Sequence, residues 1–359
     1  MKTPAVINLL LCSLPLVSGK QAGKLVEYGF VSPLDTPCET EFHPDQLDVA
    51  WVELIASNTI LRVNLTTAEQ KRFHLNNPAG LPSGMEFMPD DNLWFSEVVG
   101  NCMVKLNPKD GSMTEYPFPW TNILPVDALP AGIRVTIDVA GNRDRGAWFT
   151  SVGLNAIGRI DIDTFKYSLY PLPNLLSGPL NIQGGPGSTM VFSEILGNRV
   201  GIIDVHTKKI TEFEIPTPLS LVQGVTTDAD GLIWWTGTGA GNFGTIDVKT
   251  GKVTEMFIAD IRAAGKSTVI ENGLPSIGSS GALALPGPIR VGKNGKIYFV
   301  EGNLVLLGNR IAEYDPKTGL LKEYVIPSSL SGPCDLNNQH PEAIFFAGFT
   351  GGNLGRLNY

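Results

Sequence analysis

Short apolar segments carrying one or two aromatic rings recur along the chain at intervals of roughly 45 residues. They are Ala50-Trp51-Val52-Glu53, Leu93-Trp94-Phe95-Ser96-Glu97, Ala147-Trp148-Phe149-Thr150-Ser151, Val191-Phe192-Ser193-Glu194, Ile233-Trp234-Trp235-Thr236, Ile297-Tyr298-Phe299-Val300-Glu301 and Ile344-Phe345-Phe346-Ala347. Aromatic and β-branched runs of this length, bounded by turn signals, read as strands. After most of them comes a second pattern close to Asn-x-x-Gly-Arg-Ile-Asp, at Asn155 to Asp161, Asn198 to Asp204, Asn242 to Asp247 and Asn353 to Leu357. A polar turn then leads to a third, as in Thr114-Glu115-Tyr116, Thr211-Glu212-Phe213, Thr254-Glu255-Met256 and Lys322-Glu323-Tyr324. Ahead of the aromatic strands stand loose Pro-x-Gly-Ile entries, at Pro82 to Met85, Pro130 to Ile133, Val222 to Val225, Pro286 to Ile289 and Pro333 to Leu336.

Four antiparallel strands repeated seven times predict an all-β, seven-bladed β-propeller. The seventh unit ends at Tyr359 without its outer strand, and Val26-Glu27-Tyr28 is one outer strand too many at the other end. The N-terminal strand is therefore expected to complete the last blade and close the ring, removing an open edge. An open β-solenoid is the rival. The 40 Gly and 26 Pro among 359 residues fit such a chain of short strands and turns.

Met1 to Gly19 has the layout of a secretory signal peptide: Lys2, an apolar stretch from Ala5 to Val17, then Ser18 and Gly19. This divides the chain into residues 1–19 and one propeller domain, 20–359, sent into the secretory pathway for secretion or a vesicle. Past that segment no apolar run reaches the length of a membrane span. A net charge of −8 with no run of Lys or Arg argues against nucleic acid and anionic membranes as partners. The mature chain keeps Cys38, Cys102 and Cys334, an odd number. Pro37-Cys38-Glu39 echoes Pro333-Cys334-Asp335, in blades that closure makes neighbours, which favours a Cys38–Cys334 bridge over Cys38–Cys102 or none. Asn64-Leu65-Thr66 is a glycosylation sequon.

Propeller topology gathers the Pro-x-Gly entries and the ends of the aromatic strands around one mouth. Two long insertions, 117–129 with Phe118 and Trp120 and 258–285, fall at the same end and read as lids or binding loops. Candidate catalytic residues are Glu97, Glu194 and Glu301 at strand ends, with Glu53 counted beside them, Gln183 and Gln223 at entries, and Arg134 and Arg290 after Ile133 and Ile289. Phe118 and Trp120 are the candidate substrate-binding aromatics. Carboxylates at one mouth suit a Ca²⁺ or Mg²⁺ ion, whereas His43, His74, His206 and His340 lack zinc spacing. No nucleophile elbow or phosphate loop is present.

Pro130 to Ile133, Trp94-Phe95-Ser96-Glu97, Asn155 to Ile160 and Thr114-Glu115-Tyr116 together resemble the streptogramin B (virginiamycin B) lyase group of seven-bladed propellers, from about Lys24 to Tyr359. That resemblance implies opening of a cyclic depsipeptide by C–O elimination, with a general-base histidine and Mg²⁺ held by carboxylates and a second histidine. At the matching positions this chain has Cys334 and, one blade back, Gly287 or Pro288; the last carboxylate falls near Gly348 or Phe349. The chain is also similar to the fungal propeller hetero-Diels–Alderases of tropolone–sesquiterpenoid biosynthesis, which implies a cofactor-free cyclase joining a quinone methide to a terpene alkene, both small hydrophobic substrates. A metal-dependent C–O lyase or lactonase and a noncatalytic secreted binding propeller are the alternatives.

Overall fold

The computed structural model describes residues 21–29, 34–120, 130–134 in backbone only, 144–276, 284–302, 308–328 and 331–359. Seven sheets, each with a four-stranded antiparallel core, follow one another around a ring. Blade 1 comprises Pro37–His43, Gln46–Leu54, Thr59–Asn64 and Gln70–His74, and blade 2 Pro82–Phe87, Leu93–Glu97, Cys102–Leu106 and Met113–Pro117. Blades 3, 4 and 5 open with the inner strands Pro130–Arg134, Pro179–Gly184 and Val222–Thr227. Blade 6 opens with Pro286–Val291 and blade 7 with Pro333–Asn337.

The second strands are buried along nearly their whole length, because each blade is covered by a neighbour on both faces. This is why they read as continuous apolar runs rather than as an alternation. Their side chains fill seven clusters, one between each pair of adjacent blades. The glycine of the third-strand pattern faces the second aromatic of the strand before it: Gly158 pairs with Phe149, Gly201 with Phe192 and Gly355 with Phe346. A Cβ at any of the three would collide with that ring.

The asparagine that starts the third-strand pattern turns the chain and ties down the loop beyond. Asn155 and Asn198 adopt left-handed φ values of 51° and 56°, a conformation that asparagine tolerates better than most residues. Asn155 Nδ2 donates to Asn174 O at 2.7 Å, and its Oδ1 accepts from Ser177 N at 2.7 Å. Asn198 grips Thr217 O and Ser220 N in the same way. These clamps fix the loops that deliver each next inner strand to the mouth.

The ring closes as expected. Leu25–Gly29 pairs antiparallel with Asn353–Asn358, Val26 opposite Arg356, and becomes the fourth strand of blade 7. Glu27, 2% exposed, accepts hydrogen bonds from Asn353 Nδ2 at 2.5 Å and from Ser328 N at 2.9 Å. Cys38 and Cys334 form a disulfide with their Cα atoms 4.9 Å apart, joining the inner strands of blades 1 and 7. An open solenoid is excluded. The bridge fits an oxidising compartment, and Cys102 is the buried free thiol. Among the described residues no helix is long and apolar enough to cross a membrane.

The second long insertion differs from the expected lid. Its described part forms a short helix, Ile258–Ala263, and a strand, Ser267–Glu271, that pairs in parallel with the outer strand Leu320–Val325. It thus widens blade 6 at its outer edge. The physical reason is charge. Arg262 of that helix supplies Glu323, 0% exposed, with bonds of 2.9 and 2.8 Å and reaches Glu301 at 3.2 Å.

Candidate functional site at the mouth of the ring

Every inner strand carries one extra residue near its start. In blade 1 Pro37 faces Leu54 but Thr40 already faces Val52, and the same slip follows Ser83, Ala131, Pro179, Val222, Pro286 and Pro333. Seven β-bulges therefore surround the mouth. A bulge frees backbone groups from the ladder and re-aims side chains, a device common beside active sites. The Pro-x-Gly entries are the sequence trace of these bulges.

The freed backbone groups are satisfied by the hydroxyl of the Trp-Phe-Ser/Thr segment. Ser193 Oγ accepts from Asn181 N at 3.0 Å in its own blade and donates to Gln223 O at 2.9 Å in the next. Thr236 Oγ1 does the same between Gly224 N at 3.0 Å and Gly287 O at 2.6 Å, and Thr150 Oγ1 donates to Leu180 O at 2.7 Å. Polar side chains of the inner strands add further bonds around the axis. Glu39 Oε2 accepts from Met85 N at 2.9 Å, Asn181 Oδ1 from Val225 N at 3.3 Å, and Asn337 Nδ2 donates to Thr40 O at 2.9 Å.

Arg290 belongs to this belt. It is 3% exposed, and its Nη2 donates to Asp335 Oδ1 and Oδ2 at 3.0 and 2.8 Å while Nη1 donates to Ile289 O at 2.8 Å. Gln183 and Gln223 are half-buried on the inner strands of blades 4 and 5. The Thr238 hydroxyl lies 2.7 Å from both Gln223 Oε1 and Pro286 O. With its one proton on Gln223 Oε1, the hydroxyl holds the amide and leaves the Gln223 N–H₂ without a protein acceptor among the described residues. Thr238, Asp335, Glu39 and Asn181 are not among the site residues the sequence singles out. Asp335 and Glu39 had a signal, each following a cysteine of the bridge; Thr238 had none. The Arg134 side chain lies outside the described residues.

The strand-end glutamates do not meet at the mouth. Glu97 lies with its carboxyl against Gly80 and Gly100 and accepts from the Cys102 thiol at 3.7 Å. Glu194 lies against Gly197 and Ser177, and Glu301 beside Arg262. Each turns to partners of its own surroundings, and among the described residues the three form no common metal-ligand group. Glu53 is out of register with them: Leu54, not Glu53, pairs with the blade-opening proline as Glu97 does. Phe118, 4% exposed, packs on Phe149 and Tyr167 between blades 2 and 3, and Trp120 stacks on it at 5.7 Å between ring centres. Asn64 ends a strand of blade 1, its Nδ2 donating to Asp48 Oδ2 at 3.3 Å.

Burial, reinforced by Glu115, raises the Glu97 carboxyl to about 7; burial, reinforced by Glu212, does the same for Glu194. Burial and nearby Glu323 raise Glu301 to about 8, while Arg262 and Arg310 help hold Glu323 down. Groups raised on folding bind protons more tightly in the folded chain, so their stabilisation is complete below about pH 4.5 and disappears as pH rises through 7 to 8. At about 1.4 kcal/mol per pKa unit, a fall of a few kcal/mol is expected between pH 5 and 8. Chemical denaturation at both pH values checks this. Glu97→Gln should flatten the dependence, and a stability independent of pH across that window would refute it.

Seven four-stranded blades around a bulge-ringed mouth make the chain a seven-bladed propeller. The virginiamycin B lyase family model matches residues 20–271, and the chain belongs to that family. Virginiamycin B lyase from Staphylococcus aureus superposes with a TM-score of 0.76 at 26% identity, over 93% of this chain and 99% of that one. A catalytically inactive variant of that enzyme, solved with quinupristin, gives 0.75 at 25%, over 93% and 99%. Hydrazine synthase of Kuenenia stuttgartiensis shares the fold at 0.68 and 15%, over 91% and 97%. No curated protein sequence matches significantly.

The lyase resemblance implies Mg²⁺, and the residues present do not fit it. Cys334, at the position that resemblance gives to the catalytic histidine, is bonded to Cys38. Among the described residues no three His, Cys, Asp or Glu side chains come together as a metal-ligand group.

Proposed function

We propose that this propeller is a secretory-pathway enzyme of secondary metabolism that closes rings without a cofactor, a cyclase of the (hetero-)Diels–Alder type. Its substrates are a tropolone-derived quinone methide and a terpene alkene. In such a reaction one C–O and one C–C bond form from π bonds alone; nothing leaves, and neither a nucleophile nor a metal is needed. What the protein must supply is near-attack positioning and a fixed donor at the quinone-methide carbonyl. The observation that carries this reading is the Gln223 amide, locked by Thr238 with its N–H₂ uncommitted at the mouth.

The test incubates the purified chain with both reactants in the presence of chelator. A single adduct diastereomer is expected, and Gln223→Leu should slow its formation about 100-fold, the usual effect of removing one such donor. Adduct yield and diastereomer ratio equal to those without protein would overturn the proposal. Family membership supports a second reading, ring opening of a cyclic depsipeptide or lactone by a metal-dependent lyase or lactonase. Cleavage of quinupristin abolished by chelator would establish it instead.

A further inference from the structure

On the face opposite the mouth, three blades share a device. The indole N–H of the second-strand tryptophan donates to an aspartate on the turn before it: Trp94 to Asp90 at 3.3 Å, Trp148 to Asp144 at 2.8 Å and Trp234 to Asp228 at 2.8 Å. In blade 3 the aspartate serves two donors. Arg159, the cross-strand partner of Trp148, places Nε and Nη2 on the same Asp144 carboxylate at 3.2 and 3.1 Å.

Blade 1 repeats the donors and lacks the acceptor. Trp51 pairs with Arg62 in the same register, but four residues before Trp51, where blades 2 and 3 have Asp90 and Asp144, stands Leu47. Among the described residues neither the Trp51 indole N–H nor the Arg62 guanidinium has a hydrogen-bond or ion-pair partner in the protein. The side chain of Leu47 packs toward blade 7, and beside Trp51 and Arg62 lies a cavity of about 460 Å³ between blades 1 and 2. Trp51 and Phe87 line it, with Arg62, Lys71 and Lys109 as its cations. Neither lysine has a carboxylate ion pair among the described residues, although Asp110 lies near Lys71. One acid, Asp91, lines the cavity and is 3.7 Å from His43 Nε2. Three cations without a carboxylate ion pair among the described residues thus line one cavity in a chain of net charge −8, Lys71 also lying 4.6 Å over the Phe73 ring.

We propose that this cavity binds a small aromatic carboxylate. Its two oxygens take the place that Asp144 fills in blade 3, accepting from the Trp51 indole and the Arg62 guanidinium. The lysines add attraction at the rim, and the ring of the ligand lies against Phe87 and Trp51. Charge-assisted bonds to a guanidinium are the stronger kind, and the indole N–H at the cavity wall adds a second donor beside it.

Benzoate is the probe and benzamide its neutral isostere, measured by calorimetry on the whole chain. Benzoate is expected to bind roughly tenfold or more tightly than benzamide. Arg62→Gln and Trp51→Phe should each weaken it about tenfold. Gln223→Leu at the mouth should leave it unchanged. Equal affinity for benzamide, or benzoate binding unaltered in Arg62→Gln, would overturn the proposal; Arg62 is partly exposed at the cavity wall, so this variant stays folded.

Discussion

Removing residues 21–29 abolishes the cooperative fold of the isolated chain. This strand is the fourth of blade 7, and without it Asn353–Asn358 becomes a bare edge. Leu25, 1% exposed, leaves the cluster it forms with Ile344 and Leu357, a loss of about 2–3 kcal/mol from burial alone. Asn353 and Ser328 lose the Glu27 carboxylate, at about 1–3 kcal/mol for each polar group left buried and unpaired. Together with the ladder bonds these approach the whole stability of a typical domain, about 5–15 kcal/mol. The expected result is a soluble but non-cooperative or self-associating product. A synthetic peptide of residues 21–29 should restore a sharp thermal transition. A truncated chain that melts as sharply as the intact one would show that the ring does not depend on this closure.

Replacing Cys38 and Cys334 together by serine should destabilise the protein by about 3–5 kcal/mol, since the bond spans 296 residues and the constraint on an unfolded chain grows with loop length. The thermal midpoint should fall by roughly 5–10 °C. Reductant should reproduce the loss in the native protein and add nothing in the double variant, because Cys102 is a buried thiol that burial and Glu97 push up, away from reactivity. A change below about 1 kcal/mol would mean that the strand closure alone holds blades 1 and 7 together.

The architecture was legible because it rests on local patterns. Aromatic strands, glycines that leave room for the rings, and left-handed asparagines are set by neighbouring residues. A repeat displays them seven times. Even the bridge was readable, since Pro37-Cys38-Glu39 and Pro333-Cys334-Asp335 match and closure makes them neighbours. The candidate site was less legible. Glu97, Glu194 and Glu301 stand at the strand ends nearest the mouth, yet their side chains turn into the spaces within and between blades. Alternation along a strand tells which residues share a face; it does not tell whether that face meets the channel or the next blade. Glu53 misled by its spacing: it follows Trp51 by two residues where Glu97 follows Trp94 by three, so Leu54 takes the place of the other glutamates. The insertion 258–285 was placed at the mouth by topology, but Arg262 and the buried Glu323 draw its described part outward.

The sequence by itself therefore determined the number of blades, the way the ring closes and the pair of cysteines that locks it, because these follow from periodicity and chain connectivity. Only the tertiary structure decided which polar groups are free to act. Whether an amide is locked by a threonine fifteen residues away, as at Gln223, depends on what the packing of strands brings within hydrogen-bond distance. So does the acceptor missing beside Trp51 and Arg62, which no single stretch of the chain records.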